Sequence, residues 1–217
     1  MEDSPWGAEI IETPRDGSCF FTAIAIAMND AIDMWCSIDE LRIPMEKYWE
    51  LYHENTSESL TEVTPDLVRF MCSQNIDEDI LVMFNEEANF MKTTQKMKTK
   101  MFKTKEQLGN HMRKKSTWGD QAALRAFLKS LDLECGVIIF DNGGMIRLPE
   151  EWTKDKKAYI CLKREVNHYN VIRFWKTTAD EEPLGLPLCV TRESMVALLR
   201  TVYGVEELDG IREIPVF

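Results

Sequence analysis

Asp16-Gly17-Ser18-Cys19-Phe20-Phe21 runs straight into the apolar stretch Thr22 to Met28. A tight polar turn here delivers one cysteine to the first turn of a buried helix. The free N–H groups and positive dipole end of that helix then face the sulfur, favouring thiolate over thiol. The same N–H groups of Gly17, Ser18 and Cys19 point where an oxyanion would form. Asp16 caps the helix, orders the turn, or does both.

A nucleophilic thiol needs a base, and the chain has three histidines. His53 sits at a helix end before a polar loop. His111 lies beside Arg113 and Lys114, cations that depress its basicity. His168 opens the alternating segment His168-Tyr169-Asn170, where residues two apart share a face. Asn170 can therefore accept from the imidazole, fix its tautomer and aim the other nitrogen at Cys19. Tyr169 points the other way. Trp118-Gly119 has two readings: a wall of a substrate groove, or a hydrophobic staple packed on the core.

Composition bounds the rest. A chain of 217 residues, 44% hydrophobic and 29% charged, is ordinary for one soluble globular domain. The longest apolar runs are too short to span a bilayer, and Met1 to Pro5 has no signal-peptide character, so a cytoplasmic protein is expected. The six cysteines are scattered without a CxxC pair, which favours free thiols over disulfides and argues against a zinc site. A net charge of −11 is wrong for nucleic acid. Lys92, Lys96, Lys98, Lys100, Lys103, Lys105, Arg113, Lys114 and Lys115 crowd one segment whose only acid is Glu106, leaving the remainder more acidic still. That segment reads as a solvated face, with a partner-binding patch as the alternative.

Helices are expected from Cys19 to about Ala31, over Asp39 to His53, within Pro65 to Phe90, and from Gln121 to Leu131. Strands follow at Glu134 to Asp141, Met145 to Leu148, Ala158 to Lys163 and His168 to Trp175, with tight turns at Asn142-Gly143-Gly144 and Arg164 to Asn167. Pro183 to Pro187 reads as a break, and Thr191 to Tyr203 as a last helix. Helices first and then a small sheet make an α+β fold in one compact domain over residues 1–217. Its core spans about 11–175, with a C-terminal helical extension over about 183–217.

Three blocks in this order resemble the ovarian-tumour (OTU) cysteine proteases. They are Asp16-Gly17-Ser18-Cys19-Phe20-Phe21, Trp118-Gly119 with Leu124 and Ala126, and His168-Tyr169-Asn170. The resemblance spans roughly residues 11 to 175 and implies a papain-like domain, a small central sheet flanked by helices. It implies hydrolysis of the isopeptide bond at the C-terminal glycine of ubiquitin. Cys19 would be nucleophile, His168 general base, Asn170 its orienting residue and Asp16 the support of the oxyanion site. Trp118, Gly119 and Tyr169 would border the channel for the ubiquitin tail. Ubiquitin or polyubiquitin is the implied partner, ubiquitin-like modifiers are candidates, and no cofactor or metal is implied. The chain looks most like the viral branch, in particular the OTU domains of nairovirus-type polymerase proteins. The carriers are His168-Tyr169-Asn170-x-x-Arg173 and Thr191-Arg192-Glu193 followed by Val205-Glu206-Glu207-Leu208. Host cytoplasm and interference with host ubiquitin signalling would follow. The alternative is a catalytically silent OTU-like domain that binds ubiquitin as a scaffold.

Overall fold

The computed structural model describes residues 6–30, 39–132, 134–141, 146–147, 156, 158–176 and 184–186. Helix α1, Cys19–Asp30, is apolar on nearly every side: Phe20, Phe21, Ala23, Ile24, Ala25, Ala27 and Met28 are all buried. A helix without a polar face belongs in the middle of a protein. It lies there, against the sheet and against helix α3, Pro65–Gln74. Helix α2, Asp39–Thr56, precedes α3. Helices α4, Glu78–Thr94, α5, Lys105–Met112, and α6, Gln121–Ser130, complete the helical half.

The caps explain the boundaries. Thr64 accepts from the Leu67 N–H with Pro65 in the first turn, and Asp120 accepts from Ala123 at the start of α6. The expected helical stretch from Pro65 to Phe90 is two helices. The Asn75 N–H closes α3 on the Cys72 carbonyl, and Asp77 caps α4 by accepting from Ile80. The lysine-rich segment is partly helical, because Thr104 caps α5 inside it.

Strands β1, Trp6–Ile11, β2, Cys135–Asp141, β3, Ile146–Arg147, β4, Ala158–Glu165, and β5, His168–Lys176, form one mixed sheet in the order β1-β5-β4-β2-β3. A short β6, Leu184–Leu186, pairs with the end of β5, so the expected break at Pro183 to Pro187 contains a strand. Strands β2 and β4 run parallel; β4 and β5 are antiparallel, with Glu165 opposite His168. The turn between them is only Val166-Asn167, shorter than the expected Arg164 to Asn167, and Val166 holds it at φ 58°. The α+β class stands as read from the sequence, a sheet flanked by helices. The Asn142-Gly143-Gly144 turn and the Thr191 to Tyr203 helix lie outside the described residues.

One feature of the core titrates. Glu87 of α4 is 8% exposed, and its carboxyl is pushed up to about 7, by burial first and then by Asp120, with Arg164 opposing. Burial raises Asp120 to about 6 against the N–H bonds it accepts from Ala123 and Ala122. A carboxyl raised in the fold contributes stability that is complete below its ordinary value of 4.5 and is lost as pH rises through about 7. Glu87→Gln keeps the shape and removes the titration. It should therefore raise the thermal midpoint more at pH about 8 than at pH about 5. Melts of parent and variant across that range test this; a pH-independent difference would refute it.

Candidate active site

Cys19 is the first residue of α1, and the chain reaches it through a turn built for that purpose. The Asp16 carboxylate accepts from the Ser18 N–H at 2.8 Å, while the Ser18 carbonyl accepts the first helical bond, from Thr22, at 2.9 Å. Ser18 thus occupies the cap position and Asp16 orders the turn before it. The Ser18 N–H is thereby committed to Asp16, which removes it from the expected trio of oxyanion donors. The N–H groups of Gly17 and Cys19 have no partner among the described residues. Gly17 is at φ +82°, where a side chain would be strained, and a Cβ there would lie 2.9 Å from Nε1 of Trp118.

Trp118 is 60% exposed, so the core-staple reading fails. Its indole stands over Gly17 in a cleft of about 400 Å³. The cleft is also lined by Cys19 and Gly119, by Arg15, and by Glu165 to His168 across from them. Gly119 has no room for a side chain, because a Cβ would fall 2.3 Å from the Phe20 ring. Tyr169, expected on the channel, does not line it. The pleat turns it to α1, where its ring meets Phe20 edge-on at 5.5 Å.

The Cys19 thiol points at the Asn167 carbonyl, 3.9 Å away. Cys72 and Cys161 are buried thiols whose pKa burial pushes far up, which makes them poor nucleophiles. Cys135 is buried in β2. Cys36 and Cys189 lie outside the described residues.

His168 is buried at the start of β5 and lines the same cleft as Cys19. Its partner is not Asn170. Nε2 of His168 lies 3.4 Å from the hydroxyl oxygen of Thr13, a residue that sequence reasoning missed. That hydroxyl donates to the Tyr169 carbonyl at 2.6 Å, so its oxygen is left to accept from Nε2–H. The tautomer carrying the proton on Nε2 leaves the Nδ1 lone pair free for a thiol. Asn170, fully buried, acts one step back. Its carbonyl oxygen accepts from the Thr13 N–H at 3.0 Å, and its amide donates to Glu12 at 2.9 Å. The pairing of β1 with β5, which sets Ile11 opposite Val171, carries Glu12 and Thr13 to this place. No local signal marks them.

The other histidines are elsewhere. His53 is exposed and bonds the Glu58 carbonyl. His111 packs on Phe102, and its pKa is lowered by burial first and by Lys114 and Lys100 after it. Arg173 of the His168-Tyr169-Asn170-x-x-Arg173 run is a strut, paired with Asp30 of α1 at 2.6 Å and Glu9 of β1 at 3.0 Å. None of the residues Lys92 to Lys115 lines the cleft. The described residues hold no His, Cys, Asp and Glu cluster suited to a metal, and no helix of them is long and apolar enough to cross a membrane.

No protein-family profile matches the chain, and no curated protein matches it. Among solved structures it is similar to an ovarian-tumour domain in complex with ubiquitin, at 14% identity and a TM-score of 0.46 over 90% of this chain and 84% of that one. It is similar to the viral OTU domain protease from Taggert virus, at 15% identity and a TM-score of 0.41 over 81% and 83%. It is also similar to a chain of the OTUB1–ubiquitin aldehyde–UBCH5B~Ub assembly, at 16% identity and a TM-score of 0.42 over 75% of each chain.

Proposed function

We propose that this chain is a cysteine protease of OTU type that cleaves the bond at the C-terminal glycine of ubiquitin. The observation that carries this reading is the cleft itself. Cys19 at a helix N-terminus and His168 line it together, and the His168 Nε2 is engaged by Thr13, which frees Nδ1 for the sulfur. Nδ1 of His168 takes the Cys19 proton, the thiolate attacks the glycine carbonyl, and the N–H groups of Gly17 and Cys19 receive the oxyanion. As the C–N bond breaks, His168 gives its proton to the departing lysine amine. It then takes a proton from water, which attacks the thioester and releases the glycine carboxylate with the free thiol.

Two glycines at a peptide end suit a cleft walled by Trp118, whose indole packs on the Gly17 turn beside Cys19. The acidic remainder of the chain suits the basic tail of ubiquitin. Ubiquitin-like modifiers ending in the same way would fit this cleft. The likeness of the His168 segment to the viral branch favours action on host ubiquitin in host cytoplasm.

The test is covalent capture: ubiquitin bearing a C-terminal electrophile should form an adduct on Cys19, located by peptide mapping. Absence of an adduct with folded protein refutes the reading. Trp118→Ala refines it. The indole is mostly in solvent, so its loss should leave the thermal midpoint nearly unchanged. Capture should slow roughly 30-fold, since a tryptophan anchor is worth about 2 kcal/mol of contact. An early-melting variant, or one that captures ubiquitin at the parent rate, removes Trp118 from the substrate channel.

A further inference from the structure

Arg69 of α3 is 1% exposed, yet carries a full charge. Its guanidinium carbon lies 3.9 Å from the centroid of the Phe21 ring in α1. Nη1 donates to the carbonyls of Lys114 and Thr117, both at 2.9 Å, and of Met112 at 3.3 Å. Nη2 donates to the Lys115 carbonyl at 3.1 Å and to the Ser18 hydroxyl at 2.9 Å. A buried arginine kept for charge balance would contact a carboxylate. This one contacts none among the described residues, although the charges of Asp66 and Asp16 favour its charged form, and its Nε is buried without a partner.

What these bonds achieve is geometric. The carbonyls belong to the segment that ends at Trp118, and the hydroxyl belongs to the residue before Cys19. The planar five-donor group therefore ties together two segments, distant in sequence, that form one side of the cleft, and lysine could not reproduce that fork. We propose that Arg69 is a positioning residue that sets the Trp118 wall against the Cys19 turn, so that a tail gripped at Trp118 presents its carbonyl to the sulfur. This rests on the cleft being the ubiquitin-cleaving site.

Arg69→Lys is the direct variant, and Ser18→Ala is its partner should the first not fold. The second removes the hydroxyl that accepts from Arg69 Nη2 and donates to the Lys115 carbonyl at 3.3 Å, and keeps the Ser18 N–H. Expected for Ser18→Ala is a 10- to 100-fold lower kcat on a ubiquitin–fluorophore substrate, in the range of lost orienting contacts. KM and the rate of Cys19 alkylation by iodoacetamide should stay within about twofold of the parent, taking roughly 0.4 kcal/mol as the limit of no effect. Ser18→Thr, which keeps the hydroxyl, should recover most of the loss. Equal slowing of alkylation and ubiquitin turnover, no slowing of either, or no recovery in Ser18→Thr overturns the proposal. A second readout needs no ubiquitin. Bimane attached to Cys19 should be quenched by Trp118, relieved in Trp118→Phe, and partly relieved in Arg69→Lys or Ser18→Ala. A parent that never turns over ubiquitin but shows this pattern overturns the assigned activity and upholds the clamp. Quenching unchanged in the clamp variants overturns the clamp alone.

Discussion

Cys19→Ala should abolish hydrolysis of ubiquitin conjugates, a loss of at least about 10⁴-fold, while ubiquitin binding stays measurable. The argument is local. The sulfur's hydrogen bond is a single long one, to the Asn167 carbonyl at 3.9 Å, and Cys19→Ala removes only that one atom from a buried side chain. The turn that presents it is held by Asp16 and Ser18 through groups that the substitution leaves alone. What disappears is the nucleophile, for which no other described thiol can substitute. Cys72 and Cys161 are buried and their pKa is pushed up. Kinetics on ubiquitin–fluorophore, a binding titration and a thermal melt check this together. Residual turnover close to the parent's refutes the assignment, as does equal loss in Cys72→Ala or Cys161→Ala with the fold intact.

The local features are the ones legible in the sequence. The turn before Cys19 is spelled by Asp16 and Gly17, and the apolar run after it can only be a central helix, so nucleophile and α1 were legible. Trp118 was legible as a site candidate but not as exposed, because a tryptophan beside glycine suits a groove and a core alike. Only the 60% exposure of its side chain separates the two. Strand β1 was missed because Trp6-Gly7-Ala8-Glu9-Ile10-Ile11 lacks alternation; it is a strand because β5 offers it an edge. Three residues of β6 are too few for any period to appear. Arg69 reads as one more charge on an amphipathic helix, and its burial is created by a segment more than 40 residues away. Asn170 was placed on the right face and given the wrong partner, since the residue between it and His168 comes from the other end of the chain.

That intervening residue makes the second prediction sharper than a simple triad would. His168→Ala should lower kcat about 10²- to 10⁴-fold, the usual worth of a general acid–base group. His53→Ala and His111→Ala should leave turnover of folded protein unchanged, because neither lines the cleft. Thr13 then separates two wirings. If Asn170 oriented His168 directly, Thr13→Val would be nearly silent. In the arrangement seen here the Thr13 oxygen is what Nε2–H meets, at 3.4 Å, and Asn170 holds Thr13 by its N–H at 3.0 Å. Thr13→Val, which replaces that oxygen with a methyl of similar size, should lower kcat roughly 10- to 100-fold with KM unchanged. Thr13→Ser should retain most activity. Asn170→Ala should cost about as much as Thr13→Val, and combining them should cost little more than either, because both act through one imidazole. Stopped-flow turnover of ubiquitin–fluorophore by the four proteins of this cycle decides it. Full activity in Thr13→Val, or losses that multiply in the double variant, would place the orienting group elsewhere.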